Sequence, residues 1–235
     1  MFLKAIRKGC FFAYDEYNVY NDYMDGGVMT QIVLLVFELI GTVAFAVSGA
    51  MTALKKQMDI FGIATLGLIT AVGGGVIRDL VLGNTPPETF KNPIYGIVAI
   101  ITSMIVFLPV LRKLNSEEHH NFDLMLLIMD SLGLAVFTVM GIGTAVNVTN
   151  DFNIYLLIFV GIVTGTGGGV IRDILAKNTP YIFVKHFYAT ASLIGAVVCI
   201  ALWKWAGNIV AMIVGALTVF VLRILAARFR WELPK

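Results

Sequence analysis

Charge is scarce in this chain of 235 residues. Asp, Glu, Lys and Arg together make up 14% of it, where a soluble domain averages about 25%. The shortfall points to a protein embedded in lipid, because charge is expensive in hydrocarbon. Cysteine is nearly absent as well: Cys10 and Cys199 are far apart in unrelated contexts, which supports neither a disulfide framework nor a thiolate metal site. The three histidines are His119 and His120 in a polar stretch and His186 alone, with no Cys/His/Asp spacing to make a ligand set. A net charge of +2 without a basic stripe interleaved with aromatics argues against nucleic acid as a partner. There is no nucleophile–base pair and no cofactor motif. The expectation is therefore no catalytic residue, no metal, no cofactor and no enzyme activity.

What the chain has instead is apolar length. It is 58% hydrophobic, its mean hydropathy is +0.86, and seven stretches approach the roughly 20 apolar residues that a spanning helix needs. They are 32–54, 60–82, 94–111, 124–146, 154–176, 187–206 and 209–226. Proline, charge or turn residues separate most of them, whereas the sixth and seventh are divided only by "WKWAGN" at 203–208. Alternating ten-residue strands are missing, which excludes an outer-membrane barrel. The fold class is an all-α polytopic membrane protein. The first 28 residues have a basic start, but "CFFA" is too short an apolar core for a secretory signal. Residues 1–31 therefore read as a polar extension, with Met29 as an alternative start.

Lys and Arg gather in cytoplasmic loops. Counting alternate loops, one side receives ten: Lys55, Lys56, Arg112, Lys113, Lys177, Lys185, Arg223, Arg228, Arg230 and Lys235. The other receives Lys91 and Lys204, with Lys4, Arg7 and Lys8 too distant to weigh. This places the N-terminus outside and the C-terminus in the cytoplasm.

The chain also repeats itself. "GGGVIRDLVLGNTP" at 73–86 and "GGGVIRDILAKNTP" at 167–180 agree at ten of fourteen positions. Upstream, "ELIGTVAFAVSGAMTA" at 38–53 aligns with "DSLGLAVFTVMGIGTA" at 130–145, matching Gly41 with Gly133, Phe45 with Phe137 and Gly49 with Gly141. Each unit holds three spans, 32–111 and 124–206, joined by a cytoplasmic linker at 112–123. Residues 207–235 remain as a seventh helix and basic tail. An odd number of spans per unit makes the second copy enter the membrane from the opposite face, the arrangement of inverted repeats built around a path near the midplane.

Three costly features recur in both copies. Each glycine of Gly73-Gly74-Gly75 and Gly167-Gly168-Gly169 costs about 0.8–1 kcal/mol against alanine in a helix. Three in succession make no small-residue stripe, so they read as a kinked or broken helix whose freed carbonyls face a wet interior. No Gly-Lys-Ser/Thr follows, which excludes a phosphate-binding loop. Glu38 and Arg78 stand at similar depth near the outer face, and Asp130 and Arg172 near the inner face. Two cross-helix ion pairs are expected, flanking a water-filled path, with Asp79 and Asp173 turned toward the following "NTP" turn or a vestibule. Ser48, Thr52, Thr70, Thr144, Thr164 and Thr166 are candidate pore-lining hydroxyls, although a threonine in a membrane helix often bonds only its own backbone.

With its "GGGVIRD" doublet, three-plus-three-plus-one layout and outside-to-inside orientation, the sequence over residues 32–226 resembles the prokaryotic branch of the trimeric intracellular cation channels. The resemblance implies a bacterial inner-membrane homotrimer with one pore per protomer, the kinks falling at Gly73–Gly75 and Gly167–Gly169 in the second and fifth helices. It implies potassium and other monovalent cations, together with membrane lipids, as partners. The lysine-glutamate-valine signature of the animal members is missing, so their phospholipid gating is not carried over. Bacterial proteins with the same doublet are also described as glycine-transporter-domain proteins. A secondary carrier for a small amino acid such as glycine, binding carboxylate at half-helix N-termini, remains the alternative.

Overall fold

The computed structural model describes residues 27–108, 119–149, 153–184, 187–229 and 231. The polar extension up to residue 26, with Cys10, lies outside the described residues, as do 112–118 of the linker, Lys185, His186, Arg230 and Lys235. All regular structure among the described residues is helical. Seven longer helices follow one another: α1 (Gly27–Lys55), α2 (Ile60–Val81), α3 (Ile94–Phe107), α4 (His119–Thr149), α5 (Ile154–Leu175), α6 (Tyr188–Ala206) and α7 (Asn208–Phe229). One-turn helices at Glu88–Lys91 and Tyr181–Val184 follow α2 and α5. Six of the seven are long and apolar enough to cross a membrane. The chain is thus a polytopic helical membrane protein.

The exception is α3. Its 14 residues rise only about 21 Å at 1.5 Å each, short of a hydrocarbon core of about 30 Å. Proline bounds it on both sides. Pro93 stands at the N-cap, and Leu108, which precedes Pro109, is extended at φ −51°, ψ 142°, as the residue before a proline is driven to be. The expected span 94–111 therefore ends early as a helix.

Sequence chemistry sets the other ends. The Asp59 carboxylate caps α2 by accepting from the Gly62 N–H at 2.7 Å, and Asn153 does the same for α5 through Leu156 at 3.3 Å. Left-handed residues reverse the chain after the helices: Gly83 (φ 72°) after α2, Lys177 (φ 53°) after α5, and Gly207 (φ 81°) between α6 and α7. The boundary that "WKWAGN" marks only weakly is made by that one glycine.

Helices α1, α2, α4 and α5 form the centre, each of α1 and α2 packing on the other and on its counterpart α4 or α5. Helix α3 covers α1 and α2; α6 covers α5 and, less extensively, α4. Helix α7 lies on α6 and α4, where Met212 and Val219 join the largest apolar cluster with Leu134, Val139 and Ile142. Phe45 and Phe137, the matched aromatics, meet in the middle with ring centroids 5.3 Å apart. Gly41, Gly49, Gly133 and Gly141 all pack tightly inside the protomer, against Val136, Leu66, Phe45 and Thr164 respectively.

Candidate functional site

The two glycine runs meet where α2 crosses α5. Both helices continue unbroken through them, and none of the six glycines takes a positive φ. Each helix is thus continuous at its glycines, and close approach of the other helix is one role they serve. A Cβ added to Gly74 would fall well inside contact distance of the Thr164 carbonyl oxygen, and one on Gly168 would do the same to the Thr70 carbonyl. A Cβ on Gly73 would stand 2.9 Å from the Ile171 side chain, and one on Gly167 3.2 Å from the Gly74 Cα. The third glycine of each run faces a charge: Gly75 looks toward Arg78 at 3.9 Å, while Gly169 looks toward Tyr188, Arg172 and Asp130. Successive residues point about 100° apart, so three glycines serve three neighbours, and no stripe is needed.

Above and below this crossing sit two clusters of buried charge. In the second copy, Arg172 Nη1 donates to Asp130 Oδ1 at 2.5 Å, and its Nε donates to Asp173 Oδ1 at 2.9 Å. Nη1 also reaches the Ser48 hydroxyl of the first copy. In the first copy, Arg78 Nε donates to Asp79 Oδ1 at 2.8 Å, but Arg78 Nη1 stands 4.0 Å from Glu38 Oε1. Glu38 takes its hydrogen bond from the Tyr95 hydroxyl. Both expected pairs, Glu38–Arg78 and Asp130–Arg172, are thus within ion-pair distance, the second much tighter. All six side chains are buried, which charges in a membrane protein tolerate only when paired.

Asp79 and Asp173 do more than face the next turn. Each lies beside its own arginine and spends its second oxygen on the backbone that follows: Asp79 Oδ2 accepts from the Glu88 N–H at 2.9 Å, and Asp173 Oδ2 from the Tyr181 N–H at 3.0 Å. A buried carboxylate thereby fixes the start of each one-turn helix relative to the spanning helix. Tyr181, outside the spanning segments, stacks its ring 5.0 Å under the Arg172 guanidinium. Burial pushes its phenol above the usual range, against the opposing pull of Arg172.

The hydroxyls are where the modest reading prevails locally. Thr52, Thr70, Thr144, Thr164 and Thr166 are buried, and each donates to the carbonyl four residues back at 2.6–2.9 Å. Ser48 instead serves Arg172. Three participants escaped the sequence reading. Tyr95 and Tyr188 open α3 and α6 at matching places, and extending the repeat beyond "NTP" to "NPIYG" and "KHFYA" would have exposed them. Arg223, counted above as a cytoplasmic loop charge, is buried in α7, 4.0 Å from Asp130 Oδ2 and 4.8 Å over the Tyr188 ring. Its position inside the seventh apolar run was the signal.

Comparison with known proteins agrees with this architecture. A family model described as "Glycine transporter" matches residues 35–110 and, a second time, 127–204. The UPF0126 inner membrane protein YadS of Escherichia coli K12 is 36% identical over 199 residues, covering 84% of this chain and 93% of that protein. A solved TRIC cation channel shares 41% identity at a TM-score of 0.73, over 85% of this chain and 95% of the other. The chain belongs to the TRIC family. The trimeric intracellular cation channel orthologue from Rhodobacter sphaeroides is 32% identical at a TM-score of 0.76, over 85% of this TRIC-family chain and 99% of its own.

Proposed function

We propose that this TRIC-family protein is a channel for monovalent cations, potassium chief among them, with one path through each protomer of a homotrimer in a bacterial inner membrane. The observation that carries the reading is the pair of buried, matched charge clusters on either side of the α2–α5 crossing. A protein that merely fills the bilayer has no use for three ionisable side chains kept inside it, twice over, at the same places. A conduction path does, since fixed charges and hydroxyl dipoles set the field that a crossing ion meets. The similarity to solved structures of TRIC cation channels supports the same reading.

In this proposal α1–α3 (32–111) and α4–α6 (124–206) are inverted repeats, with α7 and the basic tail (207–235) added after them. The double match of one family model supports that division. The path runs beside the crossing, flanked by Glu38, Arg78 and Asp79 at one end and by Asp130, Arg172 and Asp173 at the other. Flexing at Gly73–Gly75 and Gly167–Gly169 alters its bore, and Ser48, Thr52, Thr70, Thr144, Thr164 and Thr166 offer lone pairs not engaged in helix bonds. Removing Arg223 from the loop count leaves nine basic residues on one side, so the outside N-terminus and cytoplasmic C-terminus stand. The test is purified protein in planar bilayers under potassium and then sodium gradients, with labelled-glycine uptake measured in liposomes from the same preparation. Cation-selective steps of current without saturable glycine uptake support the channel. Uptake with electrical silence overturns it in favour of a carrier.

A further inference from the structure

The two charge clusters are built on matched residues, yet their charges do not balance alike. Around Arg78 stand two carboxylates: Asp79, which accepts from its Nε at 2.8 Å, and Glu38, whose Oε1 is 4.0 Å from its Nη1. Glu38 completes its bonding with the neutral Tyr95 hydroxyl. In the one-turn helix that follows, Lys91 pairs with Glu88 at 3.8 Å, so those two cancel. Among the described residues this cluster sets two negative charges against one positive.

The second cluster starts in the same way, with Asp130 at 2.5 Å and Asp173 at 2.8 Å from the Arg172 guanidinium. Here a second cation enters. Arg223, 2% exposed, lies 4.0 Å from Asp130 Oδ2 with its guanidinium 4.8 Å over the Tyr188 ring. It comes from α7, which stands outside both repeats and lies on α4 and α6 of the second. An arginine inside a membrane helix is costly, and Asp130 already has Arg172 as a partner. What Arg223 offsets is the carboxylate that Arg172 alone leaves in excess. The same excess stands uncompensated in the first cluster.

Fixed charge of one sign raises the local concentration of counter-ions, and low-dielectric walls focus its field. We propose, resting on the channel reading above, that Arg223 makes the two ends of the path unequal: it neutralises the Asp130 end and leaves the Glu38 end negative. A cation approaching from the Glu38 end meets an attractive field, whereas one approaching from the Asp130 end meets a balanced one. At equal and opposite potentials, the current carried in from the Glu38 end is the larger.

Single-channel currents of the purified protein in symmetric potassium chloride, read at equal and opposite potentials, test this. The wild type is expected to pass more current in one direction. Arg223→Met removes the charge, and the smaller current should rise until the ratio of the two is about one. Arg223→Lys keeps the charge and should keep the ratio. Glu38→Gln removes the excess at the other end, so the larger current should fall to meet the smaller; this variant decides the matter should Arg223→Met fail to assemble. Lost stability alone lowers the number of active channels and does not move the ratio. Equal currents in the wild type, a ratio that Arg223→Met leaves unchanged, or an Arg223→Lys ratio that falls as far as that of Arg223→Met overturns the assignment and leaves the channel standing. So does an unchanged ratio in Glu38→Gln. A wild type without cation current overturns the channel reading, and the assignment with it.

Discussion

Gly74 of α2 lies so close to the main-chain carbonyl of Thr164 in α5 that not even a methyl group fits between them, and Gly168 meets Thr70 in the reciprocal way. Gly74→Ala and Gly168→Ala should therefore each destabilise the protein by about 1–3 kcal/mol, the range for overpacking a tight contact. The modest gain in helix propensity is too small to compensate. Thermal unfolding in detergent measures this. Gly75→Ala, whose added carbon would meet only the end of Arg78 at 3.9 Å, should be far milder, and equal losses at all three positions would contradict the account.

The ion pairs rank by burial. Asp130→Asn or Arg172→Met strands a charge in the interior and should cost about 3–5 kcal/mol. Lys55 and Asp123 also pair, but both are exposed, and Lys55→Ala should cost no more than about 1 kcal/mol. The same unfolding experiment, run side by side, separates the two classes.

Asp173 joins Arg172 to the Tyr181 amide. Asp173→Asn keeps the size of the side chain and one acceptor but loses the charge that strengthens both bonds. The Tyr181 amide should exchange its hydrogen faster in the variant, as should the Glu88 amide in Asp79→Asn, while amides in the centre of α5 stay protected. Hydrogen-exchange mass spectrometry reads both, and an unchanged rate at Tyr181 would show that the carboxylate does not hold the turn.

Lys177 occupies the left-handed position that Gly83 fills in the first copy. A lysine there is strained by roughly 1–2 kcal/mol, partly offset by the greater unfolded-state freedom of glycine. Lys177→Gly should raise the unfolding temperature slightly. A fall would mean that the lysine side chain makes a contribution the backbone argument omits.

Much of this was legible beforehand, for identifiable reasons. Apolar run length located six spanning helices, because the bilayer dictates length more strictly than any soluble core does. The ion pairs followed from depth alone, because a charge inside a span must find a partner at its own level. Three things were hidden. The glycine runs suggested a kink or break because a one-dimensional pattern shows what glycine costs its own helix and conceals the backbone that approaches from another. The close approach of the second helix is a tertiary contact that the local energetics do not reveal. Arg223 was misplaced for a related reason: loop counting assigns a charge to the nearest helix end, whereas α7 carries this one inward to Asp130. Tyr95 and Tyr188 were missed because a lone tyrosine at a helix start has no pattern of its own and gains meaning only from the acid it faces.

The central claim is conduction of cations through the protomer, and single-channel recording in planar bilayers tests it most directly. With a tenfold potassium chloride gradient across the bilayer, the wild-type protein is expected to give discrete steps whose reversal potential lies near the potassium equilibrium value. A reversal potential near that of chloride, or no current from protein that accumulates labelled glycine in liposomes, would contradict it.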